Sequence, residues 1–492
     1  MPSPYPSSRI GAPASAGAPV RAAHRPCVRR TRFAARLVLA AALLGAAGAA
    51  AAQALPPPPV AARSWLLLDV TSGQVLASQQ PDLKVDPASL TKLMTAYLTF
   101  TALRDKRIAL DQRPAVSRAA WKTGGSRMFV EPNKPATVEE LLNGMIVQSG
   151  NDASIVLAEA VSGSEQTFAQ SMNQAARRLG MTNSSFTNAT GLPDAQHYST
   201  AGDIAKLAVR IIEEFPEFYP LYSKRDYRYN GITQPNRNRL LLSDPTVDGM
   251  KTGHTDAAGW CLVASARREQ RPAETGAGAG STGIAGQAGA AGQAGAVAGP
   301  SAAGGATGAA AGGAGAGASA TASKAAAAGA TGAAATAGAP AAAAAGSAAA
   351  AAPFTRRLLS VVLGASSDSA RLSESQKLLN YGFQNFDAVR LYAASQPAAD
   401  YELWKGAQNR LRAGFERDVV VTVPKGQAGA LKPEIERVSP LVAPIAKGQK
   451  VGTLRVRLGD AVIVERPLLA LDDIAPAGWF GRTWDSLRLM LK

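Results

Sequence analysis

The pattern of hydrophobic and polar positions divides the chain into predicted strands separated by predicted helices. An apolar run at 64–70, a Thr-Ser-Gly-Gln turn and a second run at 75–78 predict a β-hairpin. Apolar residues at helical spacing then recur over several stretches, which are 137–146, 152–161, 165–179 and 199–214. Apolar runs typical of buried strands return at 258–266 and 356–364. A helical segment with strands at both ends predicts a mixed domain, α+β or α/β.

The C-terminal part of the chain has a different pattern. Three alternating runs, at 418–423, 450–456 and 461–465, are separated by Pro-Lys-Gly, Ala-Lys-Gly and Gly-Asp turns. They predict a small all-β domain over 388–473, without any cluster of chemically active residues. Residues 476–492 follow as a predicted amphipathic helix, too short to span a bilayer, that we expect to lie on a membrane surface. The alternative is a last helix docked on its own domain.

Two segments have compositions that do not suit a folded core. Residues 1–54 contain seven arginines and no acidic residue, with an apolar run at 37–49 and a final Ala-Gln-Ala. This pattern predicts a secretory signal cleaved after Ala54, and the alternative of a membrane anchor is disfavoured because the run is shorter than the ~20 residues needed to span. Residues 272–353 are almost entirely Ala and Gly, which predicts a disordered insertion or, as a competing interpretation, an interdomain linker.

Charge and cysteine content narrow the function classes. The formal net charge is +16, and removal of the signal segment leaves about +9. The basic residues are not interleaved with aromatic ones, so the sequence predicts no nucleic-acid partner and favours anionic lipid or anionic wall polymer. Of the two cysteines, Cys27 would leave with the signal and Cys261 would stay as a single thiol. The three histidines are scattered, and we expect neither a metal nor another cofactor.

Three short motifs carry the candidate chemistry. Ser89-Leu90-Thr91-Lys92 places a serine and a lysine three residues apart at the predicted start of a helix, on one face. A serine hydroxyl needs a neighbouring base, and a lysine amine becomes one when burial or a nearby cation lowers its pKa. Ser149-Gly150-Asn151 and Lys251-Thr252-Gly253 follow in the order of the penicilloyl-serine motif set. Each motif alone also suits a turn or a surface loop, but together they predict acyl transfer by Ser89.

The segments around these motifs closely resemble the low-molecular-mass penicillin-binding proteins that act as D-alanyl-D-alanine carboxypeptidases. The matching blocks are residues 87–94, 148–153, 230–238 and 248–256. The resemblance covers about 62–270 and 354–492, and the Ala/Gly insertion departs from it. It implies a β-lactamase/transpeptidase-like sandwich with an antiparallel sheet over 62–387, interrupted by the insertion. It also implies a periplasmic protein attached to the outer face of the inner membrane.

The resemblance implies a role for each motif residue. Ser89 would attack the carbonyl of the penultimate D-alanine of a peptidoglycan stem peptide, and Lys92 would be the base for acylation. Ser149 would relay a proton, and Asn151 would hydrogen-bond the substrate backbone. Lys251 would supply positive charge near the two serine hydroxyls. β-Lactams would acylate the same serine.

The resemblance also implies the substrate-binding residues. Thr252, Gly253 and His254 would form a strand edge on which an extended peptide pairs. The oxyanion would be held by two backbone N–H groups, that of Ser89 and that of a residue on this strand, by analogy His254. Arg237 and Arg371 match the family's arginine near the terminal carboxylate, and each also suits a surface position.

Three other functions share these motifs. In a class A β-lactamase the deacylating glutamate belongs to a Glu-x-x-Leu-Asn pattern, which this chain has at 139–143. In this chain the pattern precedes Ser-x-Asn, whereas in the class A enzymes it follows Ser-x-Asn. A DD-endopeptidase would use the same three motifs. A catalytically silent wall-binding protein would keep the β domain and the terminal helix. Intact serines and lysines argue against the silent protein.

Overall fold

The computed structural model describes residues 56–270, 353–479 and 484–485. The predicted signal segment 1–54, the insertion 272–353 apart from Pro353, and most of the predicted helix 476–492 lie outside the described residues. Within them, no helix has both the length and the apolar content needed to cross a membrane.

A five-stranded antiparallel sheet forms the centre of the first part of the chain. The strands of this part are β1 (Ser64–Asp69), β2 (Gln74–Gln79), β3 (Asp226–Tyr229), β4 (Ile232–Pro235), β5 (Val247–Thr255), β6 (Gly259–Gln270) and β7 (Phe354–Ala365). The sheet order is β2-β1-β7-β6-β5, while β3 and β4 form a separate hairpin. The first and last strands of this part are therefore neighbours in one sheet.

Eight α-helices accompany this sheet in the part of the chain that the structure describes. They are α1 (Lys92–Arg104), α2 (Arg118–Lys122), α3 (Val138–Val147), α4 (Asn151–Ser162), α5 (Glu165–Arg178), α6 (Ala201–Glu214), α7 (Leu240–Ser243) and α8 (Asp368–Asn385). The sequence does not predict α2, α7 or α8. Four of the predicted helices agree with α3 to α6 to within a few residues at either end.

The sheet is buried on both faces because its strands alternate apolar residues between two cores. In β7, Leu359, Val361 and Leu363 pack in the core that the helices α1 and α3 to α6 share. Leu358 and Val362 of the same strand pack in a second core, which includes the apolar residues of α8. Successive side chains of a strand point to opposite faces of the sheet, so a sheet that is buried on both faces contributes to two apolar layers. This arrangement is the one expected of a sandwich. The predicted α+β sandwich with an antiparallel sheet is confirmed.

The Ala/Gly segment joins two neighbouring strands. β6 and β7 pair antiparallel along their length, and the pairing continues to Gln270 opposite Phe354. Because the entropy of closing a loop rises only logarithmically with its length, a long connection costs little in such a hairpin.

The C-terminal domain is all β and contains more strands than the three predicted. Its strands are β8 (Phe386–Tyr392), β9 (Pro397–Glu402), β10 (Arg410–Gly414), β11 (Val419–Pro424), β12 (Leu431–Arg437), β13 (Lys450–Leu458) and β14 (Ala461–Ala470). The order β12-β13-β14-β10-β9 makes one sheet, and β11 pairs with β8. The first strand begins two residues before the predicted boundary at 388. The strands missed in the sequence are mostly half exposed, as in β12, so their hydrophobic pattern is weak.

A buried polar cluster connects the C-terminal domain to the central sheet. The Arg356 guanidinium donates from Nε to Asp69 Oδ2 at 2.7 Å and from NH1 to the Phe386 carbonyl at 2.9 Å. The Thr422 hydroxyl donates to the same Asp69 oxygen at 2.7 Å. The backbone N–H and carbonyl of Thr422 both bond the Gln74 side chain. Arg356 and Asp69 are fully buried, so each depends on the other to offset its desolvation.

Candidate active site

Ser89 lies in a tight turn immediately before α1. The sequence predicts Ser89 and Lys92 on one α-helix, but the structure has a 3₁₀ turn over Ala88–Thr91 and begins the α-helix at Lys92. Residues i and i+3 eclipse in a 3₁₀ turn, so the two side chains still meet. The backbone at Ala88 has φ of 46°. Gly191 lies so close to Ala88 that a Cβ on Gly191 would overlap the Ala88 carbonyl. Gly191, itself at φ +80°, is the residue that makes this close approach feasible.

The Lys92 amine is buried and fully hydrogen-bonded. Its Nζ donates to Ser89 Oγ at 2.9 Å, to Asn151 Oδ1 at 2.7 Å and to the Thr190 carbonyl at 2.6 Å. Burial, followed by the nearby Arg237 cation, lowers the pKa of Lys92 from 10.5 to about 7. An amine that is half neutral near pH 7 and in contact with a serine hydroxyl can accept its proton.

Ser149 and Asn151 lie between the end of α3 and the first turn of α4. Ser149 has φ of 66°, in the left-handed region that a non-glycine residue rarely adopts. Asn151 is the first residue of α4 and links two groups, because its Oδ1 accepts from Lys92 and its Nδ2 donates to the Gly124 carbonyl at 2.8 Å. The turn therefore points both side chains toward the first motif.

Lys251 approaches Ser149 from strand β5. Its Nζ donates to Ser149 Oγ and to the Thr252 carbonyl, both at 2.9 Å. Burial lowers the pKa of Lys251 well below its usual value, and the positive charges of Lys92 and Arg237 add to the effect. Each buried lysine thus contacts one serine hydroxyl, and proton exchange between the two pairs is chemically feasible.

These residues surround one cleft of about 300 Å³. Its lining includes, from the predicted set, Ser89, Ser149, Arg237, Thr252, Gly253, His254 and Arg371, together with Gly125, Ser126 and Trp260. Gly253 packs closely on the turn that carries Ser89, since a Cβ there would lie 3.0 Å from the Pro87 carbonyl oxygen. Lys92, Asn151 and Lys251 are buried. Lys92 bonds Ser89 and Lys251 bonds Ser149, while Asn151 bonds Lys92. The structure thus brings all ten predicted site residues together.

Arg237 and Arg371 occupy different environments at this cleft. Arg237 is exposed on the loop that follows β4. Arg371 is buried in the first turn of α8, where NH1 donates to the carbonyls of Gly253 at 3.0 Å and Cys261 at 3.3 Å, and NH2 donates to the Asp368 carboxylate.

Asp152 is a functional candidate that the sequence reasoning missed. This buried carboxylate accepts the backbone N–H groups of Met128 at 2.9 Å, Phe129 at 2.7 Å and Val130 at 3.1 Å. It thereby anchors the loop that carries Gly125 and Ser126 along the cleft. A buried aspartate in the first turn of a helix, directly after the second motif, was the signal that could have revealed it.

His197 is a second residue with an unpredicted role. Thr187 donates its backbone N–H to His197 Nδ1 at 3.1 Å, so Nε2 carries the proton and donates to Thr91 Oγ1 at 2.7 Å. Burial lowers the pKa of His197 to about 4, which keeps the ring neutral at physiological pH. The His197 ring therefore holds Thr91, the residue before Lys92, in place. No local sequence pattern indicates this contact.

The structure does not favour the β-lactamase interpretation of residues 139–143. The glutamate of this pattern, Glu139, is exposed in the first turn of α3 and does not line the cleft. Its carbonyl accepts the Asn143 side-chain N–H at 2.8 Å within the helix. Leu141 and Leu142 are fully buried in the helical core. The residues of this pattern therefore have structural roles in α3. In the described parts of the chain no group of three or more His, Cys, Asp or Glu side chains is arranged to hold a metal ion.

Comparison with known proteins agrees with this geometry. The D-alanyl-D-alanine carboxypeptidase family matches residues 50–275. The family described as penicillin-binding protein 5, C-terminal domain, matches residues 386–476. The chain is 34% identical to the D-alanyl-D-alanine carboxypeptidase DacC of Escherichia coli strain K12, over 87% of each protein. It is 30% identical to DacA of the same organism, over 88% of each.

Solved structures give the same result. The crystal structure of penicillin binding protein 5 from Haemophilus influenzae matches with a TM-score of 0.64 and 30% identity, over 86% of this chain and 99% of that one. Penicillin binding protein 6B from Escherichia coli matches with a TM-score of 0.56 and 29% identity, over 84% and 97%. The chain therefore belongs to the D-alanyl-D-alanine carboxypeptidase family of serine hydrolases.

Proposed function

We propose that this chain removes the terminal D-alanine from peptidoglycan stem peptides through an acyl-enzyme on Ser89. The observation that carries the proposal is the 2.9 Å contact between Lys92 Nζ and Ser89 Oγ, made by an amine whose pKa is lowered to about 7. The function of the similar proteins, which are named as D-alanyl-D-alanine carboxypeptidases, supports the choice of substrate.

Acylation begins when Ser89 Oγ attacks the carbonyl carbon of the penultimate D-alanine and its proton passes to Lys92. The resulting oxyanion accepts hydrogen bonds from the backbone N–H groups of Ser89 and His254. The C–N bond then breaks, and the leaving amine takes a proton that comes from Lys92 through Ser149, so that Lys92 is neutral again. Free D-alanine departs, and Ser89 holds the acyl group as an ester.

Deacylation reverses these proton movements. A water molecule attacks the ester carbonyl and gives up a proton to the neutral amine beside Ser89. The ester C–O bond breaks and the proton returns from Lys92 to Ser89 Oγ. The shortened peptide is released as a carboxylic acid, which loses its proton to the solvent and becomes a carboxylate. β-Lactams resemble the D-alanyl-D-alanine terminus and form the same ester with Ser89.

Substrate orientation depends on the strand edge and on positive charge. We assign Thr252 to His254 as the edge on which the extended peptide pairs, and Asn151 as a hydrogen-bond partner of its backbone. The terminal carboxylate meets the positive charge of Arg237 at the cleft, with Lys251 deeper behind it.

Release of D-alanine tests the proposal. The purified protein is incubated with a pentapeptide ending in D-Ala-D-Ala, and free D-alanine is measured together with labelling by a fluorescent penicillin. We expect stable labelling and D-alanine release, both lost in Ser89→Ala. Rapid penicillin turnover without D-alanine release would indicate a β-lactamase instead, and cleavage of cross-linked peptides alone would indicate an endopeptidase.

We also propose that the protein is secreted to the periplasm and attached to the membrane surface by residues 476–492. Trp479 and Trp484 are 66% and 61% exposed, as expected for side chains that enter a lipid interface. Sedimentation with anionic vesicles tests the attachment. The double variant Trp479→Ser, Trp484→Ser should stay in the supernatant and keep its penicillin labelling; co-sedimentation equal to that of the wild type would contradict the proposal.

A further inference from the structure

Arg371 bonds to the peptide group that supplies one of the two oxyanion donors. Its NH1 donates to the Gly253 carbonyl at 3.0 Å, and this carbonyl belongs to the same peptide group as the His254 N–H. That peptide bond is trans, so its carbonyl and its N–H point in opposite directions. A donor fixed on the carbonyl side therefore fixes the direction of the N–H on the other side.

The guanidinium is held firmly where it is. NH1 also bonds the Cys261 carbonyl of the neighbouring strand at 3.3 Å, and NH2 bonds the Asp368 carboxylate one turn earlier in α8. The guanidinium lies 4.9 Å from the centre of the Trp260 ring. The Trp260 and His254 ring centres are 3.9 Å apart, with the two planes tilted by 31°. Arg371 thus contacts two neighbours of His254, which are the Gly253 carbonyl and the Trp260 ring.

Arg237 lies near Asp368 as well, but it makes none of these hydrogen bonds. It is exposed at the same cleft, and its guanidinium has no hydrogen bond to any residue that the structure describes. A guanidinium without protein acceptors remains available for an incoming carboxylate, whereas one whose NH1 and NH2 already bond protein oxygens would have to give them up.

We propose that Arg371 is a positioning residue that aligns the Gly253–His254 peptide group as an oxyanion donor, with Asp368 holding its guanidinium. On this proposal Arg371 is not a second ligand of the substrate carboxylate beside Arg237. The inference rests on the proposed function and changes the role expected for Arg371 from the family resemblance. A cationic donor on the carbonyl also polarises the peptide group, which strengthens its N–H as a donor.

Two matched acyl donors separate the roles of the two arginines. Both are thioesters of an acylated D-alanine, one with mercaptoacetate as leaving thiol and the other with its methyl ester, so that only the first carries a carboxylate. Thiol release gives kcat/KM for each donor. We expect Arg237→Gln to lower kcat/KM at least tenfold for the mercaptoacetate donor and much less for its methyl ester.

For Arg371→Gln we expect a similar loss with both donors, about tenfold to a hundredfold. This is smaller than the roughly 10² to 10³ that follows removal of an oxyanion donor, because the N–H is misaligned and not removed. Asp368→Asn should show a smaller loss, again equal for both donors, and it serves as the second test where Arg371→Gln does not fold. Arg455→Gln, at an exposed arginine of the β domain, is the matched control and should keep wild-type kcat/KM.

A loss confined to the mercaptoacetate donor in Arg371→Gln or Asp368→Asn would overturn the positioning role, and so would unchanged kcat/KM in both. These outcomes differ from failure of the proposed function itself. In that case the wild-type protein would turn over neither thioester and would take no penicillin label.

Discussion

The rate of acylation should follow the protonation of Lys92. Burial and the Arg237 charge lower the pKa of this amine from 10.5 to about 7, while Asp152 and Glu165 act in the opposite direction. About half of the Lys92 amines are therefore neutral at pH 7, compared with roughly one in 3,000 for an ordinary lysine. Burial thus raises the population of the active base by a factor of about 10³.

The sign of the pH dependence follows from the role of the base. Only the neutral amine accepts the Ser89 proton, so the rate constant of acylation should fall about tenfold for each pH unit below 7 and level off above it. The measurement is the rate of labelling by a fluorescent penicillin between pH 5 and 9. A flat profile, or a rise that continues from pH 7 to pH 9 without levelling off, would refute this role of Lys92.

Lys92→Arg is the sharpest substitution for the same question. The guanidinium keeps the positive charge and most of the length, but it does not lose its proton in the accessible pH range. If Lys92 is the base, labelling should drop by about 10³ or more and lose its dependence on pH. If Lys92 acts only through its charge, Lys92→Arg should label within tenfold of the wild type.

Three further substitutions test the framework of the site. Asp152→Asn places an amide where a carboxylate accepts three loop N–H groups. It should lower the free energy of unfolding, measured by urea titration, by about 2 kcal/mol, and it should slow penicillin labelling. Arg356→Met leaves Asp69 buried without its partner and should lower the free energy of unfolding, by the same titration, by about 3 to 5 kcal/mol. The double variant Arg356→Met, Asp69→Leu should recover much of this loss. Gly191→Ala brings a Cβ onto the Ala88 carbonyl and should lower both the melting temperature and the labelling rate. Wild-type stability in any of these variants would contradict the contact concerned.

The contact between Ser89 and Lys92 could be predicted from the sequence because the two residues are only three positions apart. The meeting of Lys251 with Ser149 spans 102 positions and depends on how β5 lies against the helices. Local spacing does not indicate that Lys251 and Ser149 meet. The order of the motifs and the family resemblance indicated it instead. Arg371 and Gly253, 118 positions apart, were expected in the same site, but the guanidinium's contact with the Gly253 carbonyl was not.

The elements that the sequence reasoning missed have weak or mixed hydrophobic patterns. Helix α8 buries Arg371, Glu374 and Ser375 among its apolar residues, so its inward face is not recognisable from hydrophobicity alone. The anchoring of the loop by Asp152 and the contact of His197 with Thr91 depend on buried hydrogen bonds between distant segments. Such bonds follow from the packed structure and leave no periodic signal in the chain.

The most direct test of the central claim is peptide mapping by mass spectrometry after the protein has reacted with a β-lactam. We expect one adduct of the mass of the intact drug on the peptide that contains Ser89, and loss of both the adduct and D-alanine release in Ser89→Ala. An adduct on another residue, or D-alanine release that persists in Ser89→Ala, would contradict it.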